Sequence, residues 1–212
     1  VKRGVGDTVG NIVLHNGQSL FGEGTQHFIN TDRLGLTAIP DAYFDNTGGV
    51  PTLRAGNPAA PVVTLADNTQ VIAFNIIGGS TAGIAGTGIE NFLVDNVNVT
   101  SASGLAVTDA GGRAIIRDST FTNTSAGGVG VTVTNTGGPL LDLAIDNVDT
   151  SGGAIGTLVR GVSSPVSLNL TNYSATNHSN AAHGYFAKVV FPTPGTSSIR
   201  TEPFASRAMI SR

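Results

Sequence analysis

The stretch VIAFNIIGGS, residues 71–80, carries one asparagine, Asn75, inside an apolar run. FLVDNVNVT (92–100), LAIDNVDTS (143–151) and LNLTNYSAT (168–176) repeat the arrangement with Asn96, Asn147 and Asn172. RDSTFT (117–122) supplies a fifth member if Ser119 takes the asparagine's place. Set in one column, Asn75, Asn96, Ser119, Asn147 and Asn172 recur at intervals of 21, 23, 28 and 25 residues. Periods of this length belong to stacked solenoid repeats.

Each period has the same internal order. One unit reads LAVTDA (105–110), Gly-Gly, RAIIRD (113–118), Ser119, TFTNT (120–124) and SAGG (125–128). The next reads VGVTVT (129–134), NTGGP (135–139), LLDLAID (140–146), Asn147, VDT and SGG. Apolar and small polar residues alternate within these runs, which marks strands with one inward and one wet face. No stretch combines a 3.6-residue apolar stripe with a cap and a stop. A sandwich would call for hairpins closed by Asn-Gly or Asp-Gly turns, and the one Asn-Gly, Asn16-Gly17, lies outside the repeat. The pattern predicts an all-β fold: a right-handed, single-stranded parallel β-helix with three short strands per coil. Each coil should rise about 4.8 Å, the spacing of neighbouring strands.

Composition agrees. The chain has 212 residues, 29 of them glycine, with 12% charged residues, 40% hydrophobic residues and a formal net charge of −3. Few charges with many Gly, Thr, Asn and Val favour short strands and frequent turns. Cysteine is absent, which removes disulfides and thiolate metal sites. With Lys2 and Lys188 as the only lysines and no basic cluster, phosphate-neutralising nucleic-acid binding is not expected. No apolar run reaches the ~18 residues of a membrane-spanning helix. Three parts are expected: 1–60, an opening coil with an irregular insertion; 61–191, the regular coils; and 192–212, a tail or the start of another coil. Neither end reads as a polar cap, so the chain is expected to be a segment of a longer protein. Neighbouring coils or subunits would then cover the open ends.

Equivalent residues of successive parallel coils lie above one another. An asparagine amide has a donor end and an acceptor end, so the column should form a buried ladder of stacked amides. Asn also tolerates the left-handed conformation of a sharp bend. On this reading Asn96→Leu should be more harmful than Asn98→Leu by roughly 1–3 kcal/mol, because it strands amide partners in the column.

The coils VVTLADNTQVIAFNIIGG (62–79), GTGIENFLVDNVNVTSASG (86–104) and GGRAIIRDSTFTNTSAGG (111–128) resemble the pectin-lyase-like family of right-handed β-helices. The opening NIVLHNGQSLFGEG (11–24) is similar to the first turns of such proteins. That family includes pectate and alginate lyases, polygalacturonases, tailspikes and adhesins, so the resemblance implies a fold more than an activity. In its enzymes, substrate lies along the groove over the first parallel sheet. The corresponding strands here are PVVTLA, GIAGTG, LAVTDA, VGVTVT, IGTLVRG and GYFAKVVF, whose alternation turns Thr108, Thr132, Thr134, Arg160 and Lys188 outward.

The resemblance would give a lyase acidic calcium ligands and a basic catalytic residue. Asp109, Arg160 and Lys188 are the nearest candidates, and they are scattered over different coils. Polygalacturonase-like motifs are incomplete: Asn30-Thr31-Asp32 and Ala182-His183-Gly184 occur, but no Asp-Asp pair. The histidines His15, His27, His178 and His183 read as surface turn residues without a metal frame. Asp95, Asp118 and Asp146 should stack into an acidic column facing water, and Asp146–Asp149 is the best local carboxylate cluster. Calcium is the one cofactor left open. Five Asn-x-Ser/Thr triplets, at Asn98, Asn123, Asn169, Asn172 and Asn177, read as products of a Thr- and Asn-rich composition. Segment 25–60 is long for a loop and could carry function. The residues therefore point to a non-catalytic extracellular or cell-surface module that extends, displays or binds. The alternative implied by the resemblance is a lyase or hydrolase acting on an acidic polysaccharide.

Overall fold

The structure, a computed structural model, describes residues 6–23 and 49–179 in full, together with the backbone of short strands at 28–29, 39–40, 187–190, 198–201 and 209–211. Two large parallel sheets stack into a β-solenoid of about five turns, and no helix occurs among the described residues. Sheet A contains β1 (Thr8–Val9), β6 (Thr52–Arg54), β8 (Thr69–Ile77), β10 (Glu90–Ser101), β12 (Gly111–Asn123), β14 (Leu141–Ser151), β16 (Val166–Thr176) and β18 (Ser198–Thr201) in that order, with β3 (Ser19–Phe21) also against β8. Sheet B runs through β2 (Ile12–Val13), β7 (Val63–Thr64), β9 (Ile84–Thr87), β11 (Leu105–Thr108), β13 (Val129–Asn135), β15 (Ile155–Gly161), β17 (Ala187–Val190) and β19 (Met209–Ser211). An antiparallel pair, β4 (Phe28–Ile29) and β5 (Ile39–Pro40), stands apart within the expected insertion. Strands on either side of 61–191 pair with the regular coils. β6 joins sheet A ahead of residue 61, and β18 and β19 carry both sheets past residue 191.

Of the three strands expected per coil, the two flanking the asparagine column run on as one long strand of sheet A. What separates them is a single left-handed residue. Asn96 (φ 52°), Asp118 (φ 50°), Asn147 (φ 52°) and Asn172 (φ 47°) bend β10, β12, β14 and β16 at the same level, and Ala73 (φ 62°) does so in β8. A Cβ in this region crowds the following carbonyl, a conflict that Asn and Asp offset by local hydrogen bonding.

The register corrects the expected column at two positions. Asn98 pairs with Asn75 and Thr120, so Asn75 lies two residues past the bend. Ser119 pairs with Val148 and points inward, 3% exposed, so Asp118 and not Ser119 occupies the bend. The bend residues from Asn96 to Asn172 are exposed to solvent, so they do not form a buried ladder. Their bonds run between side chains of mixed type: Asn147 Nδ2 donates to Asp118 Oδ1 at 2.7 Å, and Asn172 Nδ2 donates to Asp146 Oδ1 at 3.2 Å. Amide-on-amide stacking does occur at other levels. Asn98 Nδ2 donates to Asn75 Oδ1 at 3.1 Å on the outer face, and Asn91 Nδ2, at the start of β10, donates to Asn68 Oδ1, just before β8, at 3.2 Å.

Side chains between the sheets form columns parallel to the axis. Val71, Val94, Ile116, Ile145 and Leu170 make one, and Ile84, Leu105 and Val131 face them from sheet B. Burying each side chain of this size contributes roughly 1.5–3 kcal/mol. Where sheet B begins, Gly83, Gly104, Gly130 and Gly156 fall in one column. The end of sheet A presses against this column: a Cβ on Gly104 would lie 2.6 Å from Phe121 Cδ1, and one on Gly130 would lie 2.8 Å from Thr150 Cγ2.

Two outcomes follow for chemical denaturation. Asn96→Ala should lose about 1 kcal/mol through backbone strain while Asn96→Gly stays near wild type; equal losses would restore the ladder reading. Gly104→Ala should lose about 1–3 kcal/mol by overpacking, whereas Gly127→Ala, whose Cβ would meet nothing within 4 Å, should be nearly silent.

Candidate functional site

The outer face of sheet B is the surface where a groove-type site would lie. Alternation leaves Thr108, Thr132, Thr134 and Arg160 facing outward as expected, while Val107, Val133 and Val159 fill the core. Thr87, Thr108, Thr134 and Arg160 share one column, and Ala85, Ala106, Thr132 and Leu158 share the next. Thr87 Oγ1 and Thr108 Oγ1 are 3.0 Å apart, so the threonines hydrogen-bond along the axis. The backbone of Lys188 pairs with Leu158, placing it one column from Arg160 on the neighbouring strand; its side chain lies outside the described residues.

Asp109 does not face this surface as a free carboxylate. It sits just past β11 in a left-handed turn (φ 56°), and its Oδ1 accepts from Thr136 Oγ1 at 2.7 Å and from Thr136 N at 3.2 Å. The Thr136 hydroxyl, followed by its amide, holds the Asp109 carboxyl below the usual carboxylate range. The bonding ties the turn of one coil to that of the next, a structural use of the charge. β13 lies between Asp109's strand and Arg160's, so these two candidates stand two strands apart, and the backbone of Lys188 lies on the strand beyond Arg160.

Sheet A carries a charged outer column as well. Asp95, Arg117, Asp146 and Thr171 form an outer column, so the expected acidic column is interrupted by Arg117, and Asp118 belongs to the neighbouring bend column. Arg117 Nη2 lies 2.7 Å from Asp95 Oδ2, and the hydrogen bond to Asp95, with its charge, raises the arginine's pKa. At the surface such a pair contributes at most about 1 kcal/mol. Thr171 Oγ1 donates to Asp146 Oδ1 at 2.5 Å. Among the described residues no three His, Cys, Asp or Glu side chains converge as a metal site would require, so the Asp146–Asp149 stretch is not extended into a ligand shell there. Asn30-Thr31-Asp32, His27 and His183 lie outside the described residues.

Sequence reasoning missed one polar group. His178 is not a surface turn residue: it is 8% exposed, and its Nε2 lies 3.3 Å from Thr150 Oγ1, which is 2.9 Å from the Tyr173 hydroxyl. A hydroxyl beside an imidazole is the geometry of an activated nucleophile. Here Thr150 is 1% exposed, and His178 Nδ1 has no acceptor to orient the ring. The trio is therefore core structure. A signal for it existed in the sequence: the apolar alternation of β14 and β16 gives way to Thr150 and Tyr173 at inward positions. The aromatic rings Phe74, Phe92, Phe121 and Tyr173 all point inward as well.

No protein-family model, curated protein or solved structure matches the chain. No helix among the described residues is long and apolar enough to cross a membrane.

Burial raises the Tyr173 phenol to about 12 from an ordinary 10.0, against the lowering effect of the threonine hydroxyls. A raised folded value stabilises the fold fully below pH 10, and that contribution is lost as pH rises from about 10 to about 12. An ultraviolet titration should therefore show a late phenolate step near pH 12 that Tyr173→Phe removes. A complete titration below pH 11 would contradict the burial of this ring.

Proposed function

We propose that the chain is a non-catalytic segment of a secreted or cell-surface β-solenoid of the pectin-lyase-like kind, serving to extend, display or bind. The observation that carries this reading is how the outward polar groups are used. Thr87 and Thr108, Asn98 and Asn75, Ser151 and Thr122, and Asn172 and Asp146 bond along the stack, so each coil's polar surface is engaged by its neighbour. Catalytic groups, by contrast, must converge on a reacting atom, and Asp109, Arg160 and Lys188 are spread along the axis with Asp109 bonded to Thr136. Differences in coil length fall in the corners between the sheets, one of them the turn after β13. Asn135, fully buried, donates from Nδ2 to Pro139 O at 2.7 Å and accepts from Gly138 N at 3.1 Å, closing the turn around exposed Thr136 and Gly137.

A second reading rests on Arg160, which stands exposed on sheet B next to the strand of Lys188 and gives that face positive charge toward an acidic polysaccharide. Lyase or hydrolase activity there is the alternative function, with calcium as its cofactor. A panel of acidic polysaccharides, incubated with and without calcium and read for unsaturated product and new reducing ends, distinguishes the two. The module reading expects no cleavage in either condition. Cleavage by the wild type that Arg160→Ala abolishes would overturn it in favour of the enzyme. The display reading further expects that a short peptide inserted between Gly137 and Gly138 shifts Tm by less than about 2 °C.

A further inference from the structure

Between β3 and β6 the chain leaves sheet A and returns to it at the same place. β3 pairs with β8 as far as Phe21 beside Ile72, and Gly22 N donates to Ile72 O at 2.8 Å. β6 takes up the same edge of β8 with Thr52 beside Asn75, where Asn75 N donates to Pro51 O at 2.9 Å. β3 and β6 are thus two halves of one strand, parted at the level of the Ala73 bend. A Cβ on Gly22 would lie 3.0 Å from Pro51 Cγ, so the two ends of the excursion touch. Residues 24–48 lie between them, and of these the backbone of β4 and β5 is described.

The outer face beside this exit differs from the rest of sheet A. Register turns Phe21 and Ile72 outward in one column and Leu93 and Ile115 outward in the next, and all four are half-buried. Farther along the axis the same columns turn polar, through Asp95, Arg117 and Asp146 in the first and Asn169 in the second. The apolar strip therefore lies where the excursion begins and ends. β4 and β5 pair over two residues each, and a two-stranded pair this short needs a surface to pack against. Segment 24–48 supplies apolar side chains for that purpose, among them Phe28, Leu34, Leu36, Tyr43 and Phe44. Anchored at both ends beside the strip, it meets that surface at the high effective concentration of an intramolecular partner. A second copy of the chain would need to bury roughly 800 Å² on each side, more than four half-buried side chains present, and would have to cover the Asp95–Arg117 ion pair as well.

We propose that the outer strip of Phe21, Ile72, Leu93 and Ile115 is a docking surface for this chain's own residues 24–48. The excursion packs sideways onto the sheet from which it springs. It covers sheet A over its first coils, so that sheet A presents its outer face to partners only from β14 onward.

The test is amide hydrogen exchange on the full chain. In the wild type, residues 24–48 should exchange more slowly than an unstructured chain. The double variant Leu93→Thr/Ile115→Thr keeps a β-forming residue at each outward position. It should speed exchange across 24–48 by about tenfold or more and leave β14 and β16 unchanged, which also reports that the solenoid is folded. A second measurement needs only one outward substitution. The chain has no cysteine, so Leu93→Cys gives a single thiol, which should be alkylated about tenfold more slowly than that of Thr100→Cys. Exchange of 24–48 at the unstructured rate, exchange unchanged by the folded double variant, or equal alkylation of the two thiols would overturn the proposal. So would light scattering that shows a dimer which the double variant dissociates, since the occupant would then be a second copy.

Discussion

Parallel hydrogen bonding from coil to coil is the constraint on which everything else in this molecule depends. Each strand lends its backbone groups to the strand before it and the strand after it, residue for residue. A bend in one coil therefore obliges a bend at the same level in the next. That obligation explains the repeated left-handed residue more directly than any side-chain bond. Asn and Asp recur at the bend because few other residues tolerate φ near +50°. The interior obeys the same rule: wherever sheet A crowds the start of sheet B, the crowding recurs one coil later and the column of glycines with it.

Much of this was legible in the sequence because the solenoid writes its geometry with period two. The six segments assigned to the first sheet are the strands of sheet B from β7 to β17, and the inward and outward residues of β11, β13 and β15 fall as alternation predicts. The asparagine column was legible only in part. VDNVNV offers two asparagines, Asn96 and Asn98, two residues apart, and either can be aligned with Asn75. Pairing is decided by backbone register, which sequence spacing does not encode at that precision. The same ambiguity exchanged Ser119 for Asp118. A slip of one residue is enough to turn an exposed bend into a buried column, which is how an outer feature came to be read as an inner one.

The candidate site was less legible than the fold for a related reason. Alternation says which residues face outward, but not which of them meet. Asp109 is near the sheet B face in sequence, yet a turn aims its carboxylate at Thr136. Asp95, Asp118 and Asp146 look alike in sequence, yet Asp118 itself takes the bend, and Arg117 before it enters the column. His178 looked like a turn residue because turns are usually exposed. In a stacked array, a turn has another turn above and below it, and one flank of the corner is interior.

The turn closed by Asn135 has a consequence for how such a chain should be measured. Its extra residues bond to one another and to Pro165 O, and the strands on either side keep their pairing with the coils around them. Position along the rod is thus counted in coils and not in residues. Two points separated by a long coil lie no farther apart in space than two separated by a short one, so contour length and physical length are uncoupled. A chain built this way can acquire or shed surface loops while the spacing of everything it carries stays on one ruler, whose unit is the distance between neighbouring strands.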